Sequence, residues 1–204
     1  MDATQIPIID MALLKHKADG QRTLATAVDR ALTEIGFFVV VGHGLEWSRI
    51  EAAAAICREF FDQPQAVKEA VANHGVPFKG YLKIEEAPGG LRVKTRAGQW
   101  VGAPIVDQGL VVNIGDLMMT WTNDRWLSNM HRVVNPPCDT HHSIRRQSMV
   151  YFVNCNPDAR IECLPSRQSR DNPPRHSPIG AGEHRRMKLA KSAQVVTTSP
   201  TLRS

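Results

Sequence analysis

The hydrophobic period of this chain changes at Gly89-Gly90, and the change restricts the fold more than any other feature of the sequence. Before it, apolar residues recur at helical spacing over residues 20–35, and Gly36 supplies a stop signal. After it, short apolar segments alternate with turns, which is typical of antiparallel strands. The sequence therefore predicts an α+β fold in which helices come first and a sheet follows.

The first region, residues 1–88, is predicted to be helical with one short strand. The strand is "FFVVV", which is wholly apolar and is followed by the turn residues "GHG". A third helix is predicted to open at Pro64, because proline favours the first turn of a helix. The second helix is predicted to have one apolar face, formed by Ile50, Ala54, Cys57 and Phe61.

The second region, residues 89–191, is predicted to be an antiparallel sheet of the jelly-roll type (a double-stranded β-helix). "LRVKT" and "QWVGAPI" flank a turn and predict a hairpin. A complete jelly roll has about 8 strands and only about five or six can be found, so the sheet is predicted to be incomplete. A short basic helix over 181–191 and a disordered tail over 192–204 are predicted to close the chain. The further strand candidates are "GLVVNIGD", "RWLSNMHRVV", "RRQSMVYFVN" and "ARIECLP".

Charge and cysteine content indicate which partners the protein can bind and in which compartment it is located. Residues 89–204 carry 16 Lys and Arg against 8 Asp and Glu, but no basic run or aromatic RNA-binding signature is present, which argues against nucleic acid. The longest apolar run is far shorter than the about 20 residues of a membrane span. Four cysteines without a CxxC pair, and no signal-peptide pattern, predict a cytoplasmic protein with reduced thiols. The expected partner is a small-molecule substrate, and the oligomeric state is left open.

Three residues on two consecutive predicted strands suggest a binding site. His131 ends one strand segment, and Arg146 and Ser148 lie on the next, two residues apart and therefore on one face. Neighbouring antiparallel strands can bring such residues to one pocket. An arginine fork beside a hydroxyl suits a carboxylate, and a histidine can bind a metal. The pattern is typical of a site where a carboxylate-bearing cosubstrate reaches a metal ion.

Long blocks of the sequence resemble the isopenicillin N synthase-like subfamily of Fe(II)/2-oxoglutarate-dependent dioxygenases. The blocks are "IPIID", "GFFVVVGHG", "FFDQPQAVKEAV", "GGLRVKTRAGQWV", "VVNIGDLMMTWTNDRWLSNMHRVVNPP" and "RRQSMVYFVN", with "PIGAGEH" near the end. The resemblance implies a jelly-roll oxidoreductase that uses Fe(II) and 2-oxoglutarate. It implies that His131 is the distal metal-binding histidine and that Arg146 and Ser148 anchor the far carboxylate of 2-oxoglutarate. Some members do not use 2-oxoglutarate, so the pair does not fix the cosubstrate.

The sequence departs from the family at the other two metal ligands. The family takes them from an His-x-Asp motif, yet none of the eight histidines here has Asp or Glu two residues on. The family's large central segment, which carries that motif and several strands, is missing, and residues 85–90, "EEAPGG", resemble the junction. One imidazole is a weak ligand, so we expect poor iron binding and slow or no turnover.

Substitute ligands find little support in the sequence. Glu85 and Glu86 are interpreted as part of a solvated loop, and His43 in its Gly-His-Gly turn as structural. His141, His142 and His184 are interpreted as exposed, and Asn123 and Asp124 as turn formers without chemistry. Three hypotheses follow: an impaired family dioxygenase, a non-catalytic truncated member, or an incomplete gene model or splice form.

Overall fold

The fold is that of a computed structural model, which describes residues 5–72, 90–134 and 147–198. Within these ranges the helices are α1 Lys17–Glu34, α2 Trp47–Phe61, α3 Gln65–Glu69, α4 Asp116–Trp121 and α5 Ala181–Thr198. The strands are β1 Ile8–Asp10, β2 Phe37–Val41, β3 Leu91–Lys94, β4 Trp100–Gly102, β5 Leu110–Asn113, β6 His131–Val133, β7 Arg160–Ile161 and β8 Ile179–Gly180. This mixture of helices and strands confirms the predicted α+β class.

The chain divides into two compact units, each built from segments that are not contiguous in the sequence. The first unit comprises Met1–Trp47, Glu86–Arg146 and Glu162–Ser177. The second comprises Ser48–Glu85, Gln147–Ile161 and Pro178–Ser204. Segments from both predicted regions therefore contribute to each unit.

The first unit is built around β2, which was predicted from "FFVVV". This strand pairs in parallel with β1 and antiparallel with β5, so both of its edges are occupied. One strand was predicted in the N-terminal region, whereas the structure has a second, β1, whose three residues "IID" are too few to give a strand pattern. Both faces of β2 are buried as well, in two separate apolar clusters. One cluster contains Ile9, Leu24, Ala31, Leu32, Phe38 and Val40. The other contains Ile6, Ile35, Phe37, Val39 and Val93.

Gly36 ends α1, as the sequence predicts. Its φ angle is +74°, a left-handed conformation that glycine adopts without a steric penalty. The amides of Ile35 and Gly36 both donate to the carbonyl of Ala31 at 3.0 Å. A Cβ at Gly36 would lie 2.2 Å from the carbonyl oxygen of Leu127, so the backbone of the later segment approaches the turn closely.

A second sheet, in the order β4-β3-β6, carries His131. β3 and β4 form the predicted antiparallel hairpin, with Gly98 at φ +83° in its turn. β6 pairs antiparallel with the other edge of β3, and its register places His131 opposite Val93, which is fully buried. The position of His131 is therefore fixed by backbone pairing with β3, whose residue Val93 belongs to the core.

Two of the predicted strands are wrong in whole or in part. "RWLSNMHRVV" forms a strand only from His131 onward. In "RRQSMVYFVN" the described residues from Gln147 on form no strand, and the five side chains of Met149–Val153 are exposed, Tyr151 to 90%. The apolar pattern predicts a strand, but a strand needs a hydrogen-bonding partner, and the described residues offer none to this segment.

The second unit contains α2, α3, the β7–β8 pair and α5. "ARIECLP" yields the two-residue strand β7, which pairs antiparallel with β8. The apolar face predicted for α2 is only half-buried, since the helix has no fully buried residue. α5 confirms the predicted closing helix but continues to Thr198, which contradicts the disordered tail predicted from residue 192. No helix in the described ranges is long and apolar enough to cross a membrane.

Candidate functional site

His131 is held by one ring nitrogen and leaves the other available. Nδ1 lies 3.1 Å from the carbonyl oxygen of Asn129, which selects the tautomer with the proton on Nδ1. The ring meets Phe37 edge to face, with 5.3 Å between centroids. Nε2 has no hydrogen bond to any residue that the structure describes. A backbone carbonyl on one nitrogen and a free second nitrogen is the arrangement typical of a metal-binding histidine.

The segment that precedes His131 is fixed by side-chain hydrogen bonds. The Asn129 amide donates to the backbone carbonyl of Ile35 at 2.9 Å and also to that of Lys94. The Ser128 hydroxyl donates to the Asp116 carboxylate at 2.6 Å. These bonds tie the approach to β6 to the end of α1 and to β3. No local signal in the sequence predicts them, because each partner lies far away along the chain.

The donor set around His131 does not fit Fe(II). A facial iron site needs two histidines and one carboxylate. Within residues 5–72, 90–134 and 147–198, no group of three or more His, Cys, Asp and Glu side chains could hold a metal ion. His131 is the only described residue that the family pattern predicts as a ligand, and that role stays a prediction.

Other predicted site residues fall into four groups. Ser148 is exposed and lies in the second unit, whereas Arg146 lies outside the described residues, so their role as a carboxylate anchor stays a prediction. His43 is structural, as predicted: Nε2 lies 2.9 Å from the carbonyl of Gln108, and Nδ1 accepts from the amide of Leu45 at 3.1 Å. His184, which was interpreted as exposed, is half-buried in α5. The predictions on Glu85, Glu86, His141 and His142 fall on residues outside the described ranges.

Asn123 and Asp124 form a left-handed turn, as predicted, and also anchor a distant loop. Their φ angles are +54° and +62°. The buried Asn123 amide donates to the carbonyl of Pro173 at 3.0 Å, and its side-chain oxygen accepts from the amide of Arg175 at 2.9 Å. Asp124 pairs with His176 and, at 3.7 Å, with Arg175. The sequence carries no signal for this structural role, because turn chemistry is local and these partners lie about fifty residues later.

Asp29 of α1 binds the residues that follow this turn. Its carboxylate accepts from Arg125 through both oxygens, with the Nε contact at 3.2 Å, and from the Trp126 indole at 2.9 Å. The hydrogen bond from Arg125 is the main reason that the pKa of Asp29 is lowered, and burial opposes it. Conversely, Asp29 raises the pKa of Arg125.

We expect this pair to make stability depend on acid pH. Because the Asp29 pKa is lowered in the folded state, its contribution is complete above the ordinary aspartate pKa of about 3.9 and is lost as pH falls through the lower folded value. Urea unfolding of wild type and Asp29→Asn from about pH 6 down to about pH 2, which extends below the ordinary aspartate pKa, measures this contribution. At about pH 6 the free energy of unfolding should be lower for Asp29→Asn than for wild type, and the two values should converge as the pH falls. A constant difference would contradict the assignment.

Two family models match overlapping parts of the chain. The first, described as the non-haem dioxygenase in morphine synthesis N-terminal family, matches residues 6–96. The second, described as the 2OG-Fe(II) oxygenase superfamily, matches residues 69–154 and includes His131.

The chain is also similar to individual 2-oxoglutarate-Fe(II) type oxidoreductases. The chain is 37% identical over 99 residues to the 2-oxoglutarate-Fe(II) type oxidoreductase hxnY of Emericella nidulans, covering 48% of this chain and 27% of that protein. It is 32% identical over 139 residues to a 2-oxoglutarate-Fe(II) type oxidoreductase of Aspergillus fumigatus, covering 65% and 40%. The chain thus spans well under half the length of these relatives. Its fold is similar to that of a full-length Neurospora crassa protein determined in complex with alpha-KG and 5-formyluracil, with a TM-score of 0.78 at 18% identity, covering 93% of this chain and 97% of that one.

Proposed function

We propose that this chain belongs to the 2OG-Fe(II) oxygenase superfamily and derives from an isopenicillin N synthase-like enzyme that oxidises a small molecule with Fe(II) and 2-oxoglutarate. The observation that carries the proposal is the order of the two family matches, with His131 on β6 inside the second. The superfamily uses Fe(II) and 2-oxoglutarate, and related folds have been determined with alpha-KG. The free thiols of Cys57, Cys155 and Cys163 support the proposed cytoplasmic location.

The roles of the site residues follow the family pattern. His131 is the proposed metal ligand, and its geometry supports this because Asn129 holds Nδ1 while Nε2 is available. Arg146 and Ser148 are the proposed anchor for the carboxylate of 2-oxoglutarate. An arginine can donate two parallel hydrogen bonds to a carboxylate, and the serine hydroxyl adds a third.

We further propose that this form of the protein binds iron weakly and turns over slowly or not at all. A single imidazole cannot provide the geometry and ligand number on which Fe(II) affinity depends. The alternative to an impaired enzyme is a non-catalytic truncated member or an incomplete gene model or splice form. The exposed segment Met149–Val153 favours this alternative, because its apolar pattern is that of a strand whose sheet neighbour is absent from the described residues.

Anaerobic titration of the purified chain with Fe(II) and 2-oxoglutarate tests the proposal. The visible charge-transfer band of the chelate reports a formed site, and succinate reports turnover. We expect neither signal to exceed that of His131→Ala, with circular dichroism showing that both proteins are folded. A band and succinate that wild type gives and His131→Ala loses would contradict the proposed impairment and establish a working site with ligands from elsewhere.

A further inference from the structure

The turn at Asn123 and Asp124 forms one wall of a polar cleft in the first unit. The cleft encloses about 400 Å³, within the range of about 300–1,000 Å³ that small-ligand sites occupy. Its walls come from residues 122–125 and 166–175, and every lining residue is polar or charged. Such a lining offers little to an apolar ligand and many hydrogen-bond donors to a polar one.

The charge of the cleft is positive and only partly neutralised. Arg125, Arg167 and Arg175 line it together with one carboxylate, Asp124. Arg175 faces that carboxylate and Arg125 is bound to Asp29. Arg167 has no side-chain hydrogen bond or ion pair with any residue in the described ranges. Besides Arg125, the Arg167 guanidinium lies close enough to Asp29 to lower the pKa of that carboxyl, but its N–H donors are not hydrogen-bonded to a described residue and can serve an anion.

The backbone that carries Arg167 is fixed in place. Its carbonyl oxygen accepts from the side-chain amide of Asn172 at 3.0 Å and, at 3.4 Å, from that of the buried Asn123. The backbone amide of Asn172 also donates to the Ser169 hydroxyl at 3.1 Å. Because the loop is already ordered, a ligand there does not have to bear the entropic cost of ordering it.

We propose that this cleft binds a small anion that carries a phosphate group. The planar fork of Arg167 matches phosphate oxygens, and the side chains of Ser166, Gln168 and Ser169 place further donors on the same walls. A tetrahedral dianion accepts more of these hydrogen bonds than a carboxylate does. The cleft shares no lining residue with the proposed iron site, and its 166–175 wall lies beyond the two family matches, which end at residues 96 and 154.

Equilibrium dialysis of the full chain against inorganic phosphate, with chloride adjusted to constant ionic strength, tests the proposal. We expect saturable binding, and Arg167→Gln should weaken it about tenfold, as expected for the loss of hydrogen bonds to a charged group. Arg167→Lys keeps the charge but loses the fork, so it should weaken binding by a smaller factor. Circular dichroism checks that each variant is folded, which we expect because the Arg167 side chain makes no hydrogen bond or ion pair with a described residue.

Arg170→Gln is the matched control, since Arg170 is an exposed arginine of the same loop that does not line the cleft. It should bind phosphate as wild type does. An equal loss in Arg167→Gln and Arg170→Gln would show general attraction to a basic surface and would overturn the proposal. Absence of saturable binding would overturn it as well. Glycerol phosphate, added as a competitor, should displace the bound phosphate. If 2-oxoglutarate at equal concentration displaces it as well, the cleft is a carboxylate site and the phosphate assignment is contradicted.

Discussion

Phe37→Ala is expected to lower the free energy of unfolding by about 3–5 kcal/mol, the range for truncating a buried phenylalanine. Phe37 is 1% exposed on the central strand β2 and packs with Ile35, Val39 and Val93. Truncation removes its apolar contacts and leaves a cavity between the two sheets of the first unit. Urea unfolding followed by circular dichroism measures the change.

Phe61→Ala provides the control for this substitution. Phe61 ends α2 and is 53% exposed, so its truncation removes less buried surface and should cost below about 1 kcal/mol. Equal losses in the two variants would mean that β2 does not form the core. Loss of the Phe37 ring also removes its edge contact with His131.

Gly36→Ala is expected to cost about 3 kcal/mol, from two separable causes. The left-handed φ of +74° costs a non-glycine residue about 1–2 kcal/mol. The remainder comes from overlap, because the new Cβ would lie 2.2 Å from the carbonyl oxygen of Leu127. The same urea unfolding experiment measures the sum.

Gly98→Ala separates these two causes. Gly98 has a similar φ of +83°, but a Cβ there would meet nothing within 4 Å. It should therefore show only the conformational cost of about 1–2 kcal/mol. If Gly36→Ala cost no more than Gly98→Ala, the close approach of Leu127 to the end of α1 would be refuted.

Elements with strong local signals were predicted well from the sequence. The end of α1 follows from helical spacing and Gly36, β2 from five consecutive apolar residues, and the β3–β4 hairpin from alternation around a turn. In each case the pattern and its stop signal lie within about a dozen residues, the range over which propensity acts. The family resemblance was also visible in the sequence, and two models of dioxygenase families match parts of the chain, over residues 6–96 and 69–154.

The failures arise where structure depends on distant partners. Met149–Val153 has the composition of a strand, yet composition does not say whether a neighbouring strand exists to pair with it. Asn123 was correctly predicted as a turn former, but its bonds to Pro173 and Arg175 could not be predicted from the turn itself. His131 was identified through its sequence block, and the carbonyl of Asn129 that orients it appears only in the structure.

The pairing of β2 with β5 has a consequence for synthesis of the chain. Phe37 lies opposite Asn113, so the central strand gains its second edge only after residues 110–113 have been translated. Domains fold as units while the ribosome releases the chain from its N-terminus, and pairings across long separations form slowly. The N-terminal region up to residue 88 therefore cannot complete its own sheet as it emerges. Its folding waits for the downstream sequence.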